Sequence, residues 1–476
     1  MVAGSPTQIT FALAALVVCL GAANGGFFQS TWNWSLIAGA VVVLAGARTI
    51  DLVRPTGREW CAICLLVGFG TWTLIAATWA DDPVASRVQA NRLLLYVSFI
   101  AVAFLATRSV GSLVGGATIG ICAIGLYALV AYLVVGNTPL PNALEGYLLF
   151  RPVGYANALG ALAAIGLVAA LGLAVEADRE RTACACAAMW APLTATLVLT
   201  QSRGAWLAFV PGISVVAVVL GRRAMPTLLM AAPLIATTAA LAWSAHLERF
   251  DRGFKLDRAR ALALAITALS VVAYLALRSL RGRISVQSRW VAIALAVGLA
   301  VIASGLVATL ARSHSLESFG VRRAYWHVAW RLVTDHPLAG SGPGSFAAAW
   351  PRQGDGTGAL NAHNLYLETL AETGLIGLVL LVGFFAVPLV SLRLALRQRY
   401  VATALGAYTV FLTHVFVDWD WQMPVVTISG LAFGAALIVA SRHDPTPSLG
   451  ATGRFGVMLA SIAVLAIAVG ELMGRP

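Results

Sequence analysis

Three basic residues stand in this chain where their chemistry asks for a use. Arg203 lies in Gln201-Ser-Arg-Gly204, a turn too short for an ordinary loop, between two apolar segments. A guanidinium there sits at or just below headgroup level. Either it snorkels out to lipid phosphate, or it holds a phosphorylated lipid head. The guanidinium suits the second task because its fork donates two parallel hydrogen bonds to phosphate oxygens and never loses its charge. Arg151, in Arg151-Pro-Val-Gly-Tyr-Ala-Asn157 ahead of another apolar run, carries the same two readings. His363 opens His363-Asn-Leu-Tyr-Leu-Glu-Thr-Leu-Ala-Glu-Thr-Gly374. Asn364 can cap a short amphipathic helix there, and Gly374 can break it. The positive end of that helix disfavours a cationic imidazole, and the neutral ring is the form that accepts a proton. A solvated loop histidine fits the same spacing.

Two acidic clusters accompany them, Trp79-Ala-Asp-Asp-Pro83 with Ser86 and Arg87 following, and Asp418-Trp-Asp-Trp421. Between them runs a long stretch, Arg312 to about Asn361, that includes Arg322-Arg323-Ala-Tyr-Trp-His-Val-Ala-Trp-Arg331. Helical spacing puts Tyr325, Trp326, Ala329 and Trp330 on one face, extended by Val333, and Arg323, His327 and Arg331 on another. The pattern predicts a helix in the membrane interface with its aromatics toward lipid, ending before Pro337. Gly340-Ser-Gly-Pro-Gly344 lacks the spacing and the preceding strand of a dinucleotide fingerprint and reads as a flexible turn. Cys61-Ala-Ile-Cys64 has redox or zinc spacing, but it lies in an apolar run with no second ligand pair. No Asp, Glu and His grouping has metal-ligand spacing, so neither metal nor cofactor is expected.

What must position these groups follows from composition. The chain is 59% hydrophobic and 11% charged, where a soluble chain carries roughly 25% charged residues. Its mean hydropathy is +0.84. The bilayer is therefore the solvent, and backbone groups in lipid must pair within helices or a closed barrel. The apolar runs are continuous, as in Trp290 to Ala311, which selects helices. Candidate spans fall near 8–24, 34–50, 60–78, 91–107, 112–135, 157–175, 184–201, 204–221, 225–245, 261–280, 290–311, 375–393, 401–418, 424–440 and 455–471. The expected fold is an all-α polytopic bundle of about 12–15 spans, a single membrane domain over 1–476 with an extracytoplasmic loop at 312–374.

The net charge of +12 would suit nucleic acid in a soluble protein, but here basic loops that fix topology account for it, and no nucleic-acid partner is expected. With the N-terminus inside, the cytoplasmic connections hold Arg48, Arg54 and Arg58, then Arg108, then Arg179 and Arg181, then Arg222 and Arg223. Further on they hold Arg278, Arg281, Arg283 and Arg289, then Arg393, Arg397 and Arg399, then Arg442 and Arg454. The clusters named above fall on the opposite side, where charge does not serve topology. The connection 246–260 carries charges of both signs.

The His363-Asn364-x-Tyr-Leu-x-x-Leu-x-Glu372-x-Gly374 run resembles the signature of the O-antigen ligase and polymerase superfamily, which includes polysaccharide polymerases and protein O-oligosaccharyltransferases. Trp79…Asp82-Pro83…Ser86, Arg151-x-x-Gly154-x-x-Asn157, Ser202-Arg203-Gly204-Ala205 and Arg322…Trp326 followed by His336-Pro337-Leu338-x-Gly340-x-Gly342 are similar to further motifs of that family, in order. The likeness spans roughly residues 75–440. It implies a bacterial inner-membrane glycosyltransferase with its site facing the periplasm or exterior, a glycan donor on undecaprenyl diphosphate, and a glycan, lipid or protein acceptor. It further implies that Arg151, Arg203 and Arg322 (or Arg323) hold the diphosphate and that His363 is the general base. Asn364, Asp418, Asp82 and Asn157 would support them. The family usually has about twelve spans, so the segments near 225–280 and 455–471 are additions. The rivals are a peptidoglycan-type lipid-linked polymerase, whose motifs are not matched, and a transporter or lipid flippase, which expects mid-membrane charges and inverted repeats.

Overall fold

The computed structural model describes residues 6–46, 51–135, 148–252, 255–280, 315–353, 359–442 and 446–474. In chain order the helices are α1 (Pro6–Ala22), α2 (Gln29–Gly46), α3 (Gly57–Ala76), α4 (Pro83–Ala106), α5 (Val110–Val130) and α6 (Ala156–Glu176). There follow α7 (Glu180–Ala188), α8 (Trp190–Leu199), α9 (Arg203–Leu220), α10 (Met225–Arg252) and α11 (Leu256–Leu280). Then come α12 (Ser315–Asp335), α13 (Ser345–Gln353), α14 (Leu365–Ala395), α15 (Val401–His414), α16 (Pro424–Val439) and α17 (Ala451–Met473). Among the described residues ten helical stretches are long and apolar enough to cross a membrane, and α1, α15 and α16 are shorter apolar helices. The expected polytopic all-α bundle is what the chain forms. The expected span 290–311 lies outside the described residues.

The helix α6 is the buried axis, with Ala158 to Ala174 almost wholly enclosed. Its run of Ala, Gly and Leu lets neighbouring backbones approach closely, which is how helices associate where lipid offers no hydrophobic drive.

The connections collect at two ends. At the basic end, arginines staple loops together as well as marking a side. The Arg442 guanidinium meets Glu59 Oε1 at 2.7 Å through Nε and donates from Nη2 to the Phe104 carbonyl at 2.6 Å. Arg108 pairs with Asp51 at 3.0 Å. Burying Arg442 and Glu59 is tolerable only because each is paired and hydrogen-bonded.

At the opposite end, Trp79 Nε1 donates to Gly340 O at 3.1 Å, Leu149 N to Leu199 O at 3.0 Å, and Leu365 N to Val415 O at 2.9 Å. A second, smaller core forms there from Val328, Ala329, Val333, Phe346, Trp350 and Ala362, with Tyr325 packed against it. The face of α12 read as lipid-facing is therefore divided: Tyr325, Ala329 and Val333 turn into protein, while Trp330 is 55% exposed. Helix α13 supplies the apolar partner that periodicity alone could not name. The Arg323, His327 and Arg331 stripe is exposed.

The turn at Gly340–Gly344 is held rather than flexible. Ser341 N and Gly342 N donate to the carbonyls of Ala371 and Glu372 at 3.0 and 2.9 Å. A Cβ at Gly340 would fall 2.4 Å from the Glu372 carbonyl, and φ there is +76°. Only glycine combines that conformation with that approach.

Candidate functional site

Helix α12 presents Arg322 and Tyr325 three residues apart, so both side chains fall on one face. Arg322 Nη2 lies 3.4 Å from Asp418 Oδ2, with the Asp418 side chain 1% exposed. The carboxylate also accepts from Tyr155 OH at 2.9 Å, from Asn157 Nδ2 at 2.7 Å and from Trp419 N at 2.9 Å. Burial, then the Asp418 charge, pushes the Tyr155 hydroxyl well above its ordinary pKa, so it stays a neutral donor. The Tyr155 ring stacks on Trp419 at 4.6 Å. Three segments far apart in sequence thus meet on one carboxylate.

Asp418 can do this because α15 stops at His414, four residues before the expected end of that span. The backbone then leaves helical geometry to aim Asp418 and Asp420 at polar partners. Arg203 opens α9, capped by Ser202, whose hydroxyl accepts from Ala205 N at 3.3 Å. Its guanidinium lies within Coulombic range of that of Arg322.

His363 sits immediately before the cap of α14 with φ +52°. Its ring lies face to face with Tyr325 at 5.2 Å and 20°. Nδ1 lies 3.1 Å from Asn361 O. If Nδ1 carries the proton and donates there, Nε2 is left as the acceptor. His363 is within Coulombic range of Asp420. Through Tyr325, the imidazole is one helical step from Arg322.

Other residues singled out from sequence have different surroundings. Arg323 is exposed; Arg322 makes the ion pair. Arg151 is exposed, its guanidinium 5.8 Å from the ring centroid of Phe150. Asp82 caps α4, accepting from Val84 N and Ala85 N at 2.9 and 3.0 Å. Asn364 caps α14, accepting from Leu367 N at 3.0 Å. The helix it starts continues to Ala395 across a kink at Gly374, with φ +68°. The expected break is there, as a change of direction.

Several members of the site were not found from sequence. His414 Nδ1 is hydrogen-bonded to Asp420 Oδ2, and both side chains are wholly buried. A Cβ at Gly204 would lie 3.1 Å from His414 Nε2, so the Ser-Arg-Gly turn rests directly on this ring. Burial raises the Asp420 carboxyl above its usual range although His414 pulls the other way. Beneath lies Arg92, 5% exposed in α4, 5.5 Å from the ring centroid of Trp32 and within Coulombic range of Glu368 and Glu372.

Each of these glutamates fixes loop backbone. Glu368 accepts from Ala362 N at 2.7 Å and Gln422 Nε2 at 3.0 Å. Glu372 accepts from Gln89 Nε2 at 3.1 Å and Phe346 N at 3.4 Å. The signal for Arg92 was available: of the two arginines in the helix after Pro83, Arg92 is the one that directly abuts its long apolar run. No spacing rule pairs it with residues near 370. Among the described residues no three or more His, Cys, Asp or Glu side chains gather as metal ligands would.

These features define a polytopic helical membrane protein with a partly buried ionic site at the end opposite its arginine-rich loops. Residues 254–382 match the family described as O-antigen ligase, which bears out the resemblance to the O-antigen ligase and polymerase superfamily and supports glycan transfer of that type. The matched segment holds α12, α13, His363 and the start of α14; Arg203 and Asp418 lie outside it. No curated protein matches the chain.

Proposed function

We propose that this protein transfers a glycan from an undecaprenyl-diphosphate-linked donor to an acceptor hydroxyl, at an extracytoplasmic site in a bacterial inner membrane. The observation that carries the reading is convergence of residues distant in sequence: Arg322 pairs with Asp418 and lies within Coulombic range of Arg203, and His363 stacks on Tyr325, one helical step from Arg322. The segment 312–374 is the extracytoplasmic loop of this scheme. His363 Nε2 takes the proton of the acceptor hydroxyl. The oxygen attacks the anomeric carbon, and the bond from that carbon to the diphosphate breaks with its electron pair left on the diphosphate oxygen. Arg203 and Arg322 stabilise that charge, which preorganised donors do best where water is scarce. Arg151 and Arg323, more exposed, meet the diphosphate on approach.

The test uses vesicles with the protein and a lipid-diphosphate glycan. His363→Ala should slow transfer by about 10²–10⁴-fold and Arg203→Ala by about 10²–10³-fold, each with normal membrane insertion. Transfer at the wild-type rate by either variant removes that residue from the mechanism. Transport is the second reading, favoured by one observation: Arg92 is a buried charge within a candidate span. Glycan movement without bond formation would establish transport instead.

A further inference from the structure

A cleft of about 470 Å³ opens between the turn after α3 and helices α12 and α13, lined by Trp79, Asp81, Asp335, His336 and Arg352 among others. Ser341 and Ser345 also face it. Their hydroxyl oxygens are buried and have no hydrogen-bond partner among the described residues, and Ser345 is 5% exposed overall. A buried hydroxyl without a partner costs about 1–3 kcal/mol; both serines line the cleft, and rotation about the Cα–Cβ bond brings either hydroxyl to a partner that arrives from outside. Trp79 is held by its indole N–H on Gly340 O and by Trp72 at 5.7 Å, yet stays 40% exposed at the cleft.

We propose that this cleft is a remote saccharide subsite that takes pyranose units of the glycan. The ligand class rests on the glycan-transfer reading; the site rests on the cleft. A pyranose ring has an apolar C–H face and a rim of hydroxyls that both donate and accept. An exposed indole matches the face. Two carboxylates accept from the rim, a guanidinium donates to it, and the two serine hydroxyls do either. A phosphate is a poor fit, because Asp81 and Asp335 set two carboxylates against one arginine.

The site is remote for a structural reason. Ser345, Ala349 and Arg352 form the cleft face of α13, whereas Phe346 and Trp350 form its other face and pack on Tyr325, which stacks on His363. The cleft and the imidazole are thus about one helix thickness apart, ~10 Å. A chain of sugars spans that distance; the reacting sugar alone does not.

The probe is free glycan released by mild acid from the lipid-linked pool of the producing cells, titrated calorimetrically into the full-length protein. Wild type should bind it. Trp79→Ala should weaken binding about tenfold or more, and Asp335→Asn and Ser345→Ala each about threefold to tenfold, the loss of one hydrogen bond. Ser345→Ala is the most telling variant, because its hydroxyl has no internal partner to lose and the fold should be unharmed. Absence of binding by wild type, equal binding by Ser345→Ala and Asp335→Asn, or displacement of the glycan by glycerol 1-phosphate would each overturn the proposal. The titration involves no bond formation. Normal binding together with absent transfer would therefore remove the transferase reading and leave the subsite standing.

Discussion

Asp418→Asn is the most searching single change. It keeps the shape and removes the charge. The carboxylate is 1% exposed, takes three hydrogen bonds and faces Arg322 at 3.4 Å. An asparagine there must turn its amide nitrogen toward groups that are themselves donors, Tyr155 OH or Asn157 Nδ2, so at least one bond is lost besides the ion pair. Breaking a buried hydrogen-bonded pair from one side costs about 3–5 kcal/mol. The 3.4 Å separation and the 21% exposure of Arg322 place this case near the lower end, about 3 kcal/mol. Thermal unfolding in detergent should show the loss. Transfer should also fall, because Arg322 loses the group that holds it beside Tyr325. The decisive measurement is a double-mutant cycle with Arg322→Gln on initial transfer rates. Residues acting as a unit should couple by about 2 kcal/mol, so the double variant should be about thirtyfold faster than the product of the single losses allows. Single losses that simply multiply would refute the idea that Asp418 works through Arg322.

Arg322→Ala should cost about 10²-fold in transfer rate while Arg323→Ala costs less than about threefold, and equal losses would show that the α12 face has been misassigned. Gly204→Val should destabilise by more than about 2 kcal/mol, since its side chain would press on His414 and Val417; unfolding midpoints of Gly204→Ala and Gly204→Val should fall in that order. Glu368→Gln should lower kcat more than it changes KM, because Glu368 fixes the Ala362 backbone beside His363; a change in KM alone would assign Glu368 to substrate binding.

The helical bundle was legible because lipid leaves the backbone few options, and continuous apolar runs mark where spans lie. The Asn364 cap and the turn of direction at Gly374 were legible for the same local reason. The pairing of Arg322 with Asp418 was not, since the faces of α12 could not be ranked before the small core around Trp350 was known. His414 escaped notice because it closes an apolar helix and looks like any buried histidine; its use depends on Asp420 six residues on and on Gly204 from another helix. Arginine counting had a similar blind spot. Arg442 and Arg108 fit a topological reading, yet both also tie loops together.

The deeper layer of acid explains how a proposed base can sit on a loop and still be placed. A catalytic group must be held to within a fraction of an ångström by partners that are themselves fixed. His363 receives this from two directions. Tyr325 braces the ring face, and Glu368 grips the backbone one residue earlier through Ala362 N. Glu368 in turn is gripped by Gln422, from the loop that carries Asp418. Glu372 holds α13 by its first turn and α4 through Gln89, with Arg92 supplying the countercharge below. Two buried glutamates over one buried arginine are costly as stability elements. Their arrangement makes sense as a frame: each carboxylate ties a different segment of the long loop to the spans, so the imidazole and the Asp418 cluster are referred to the same floor.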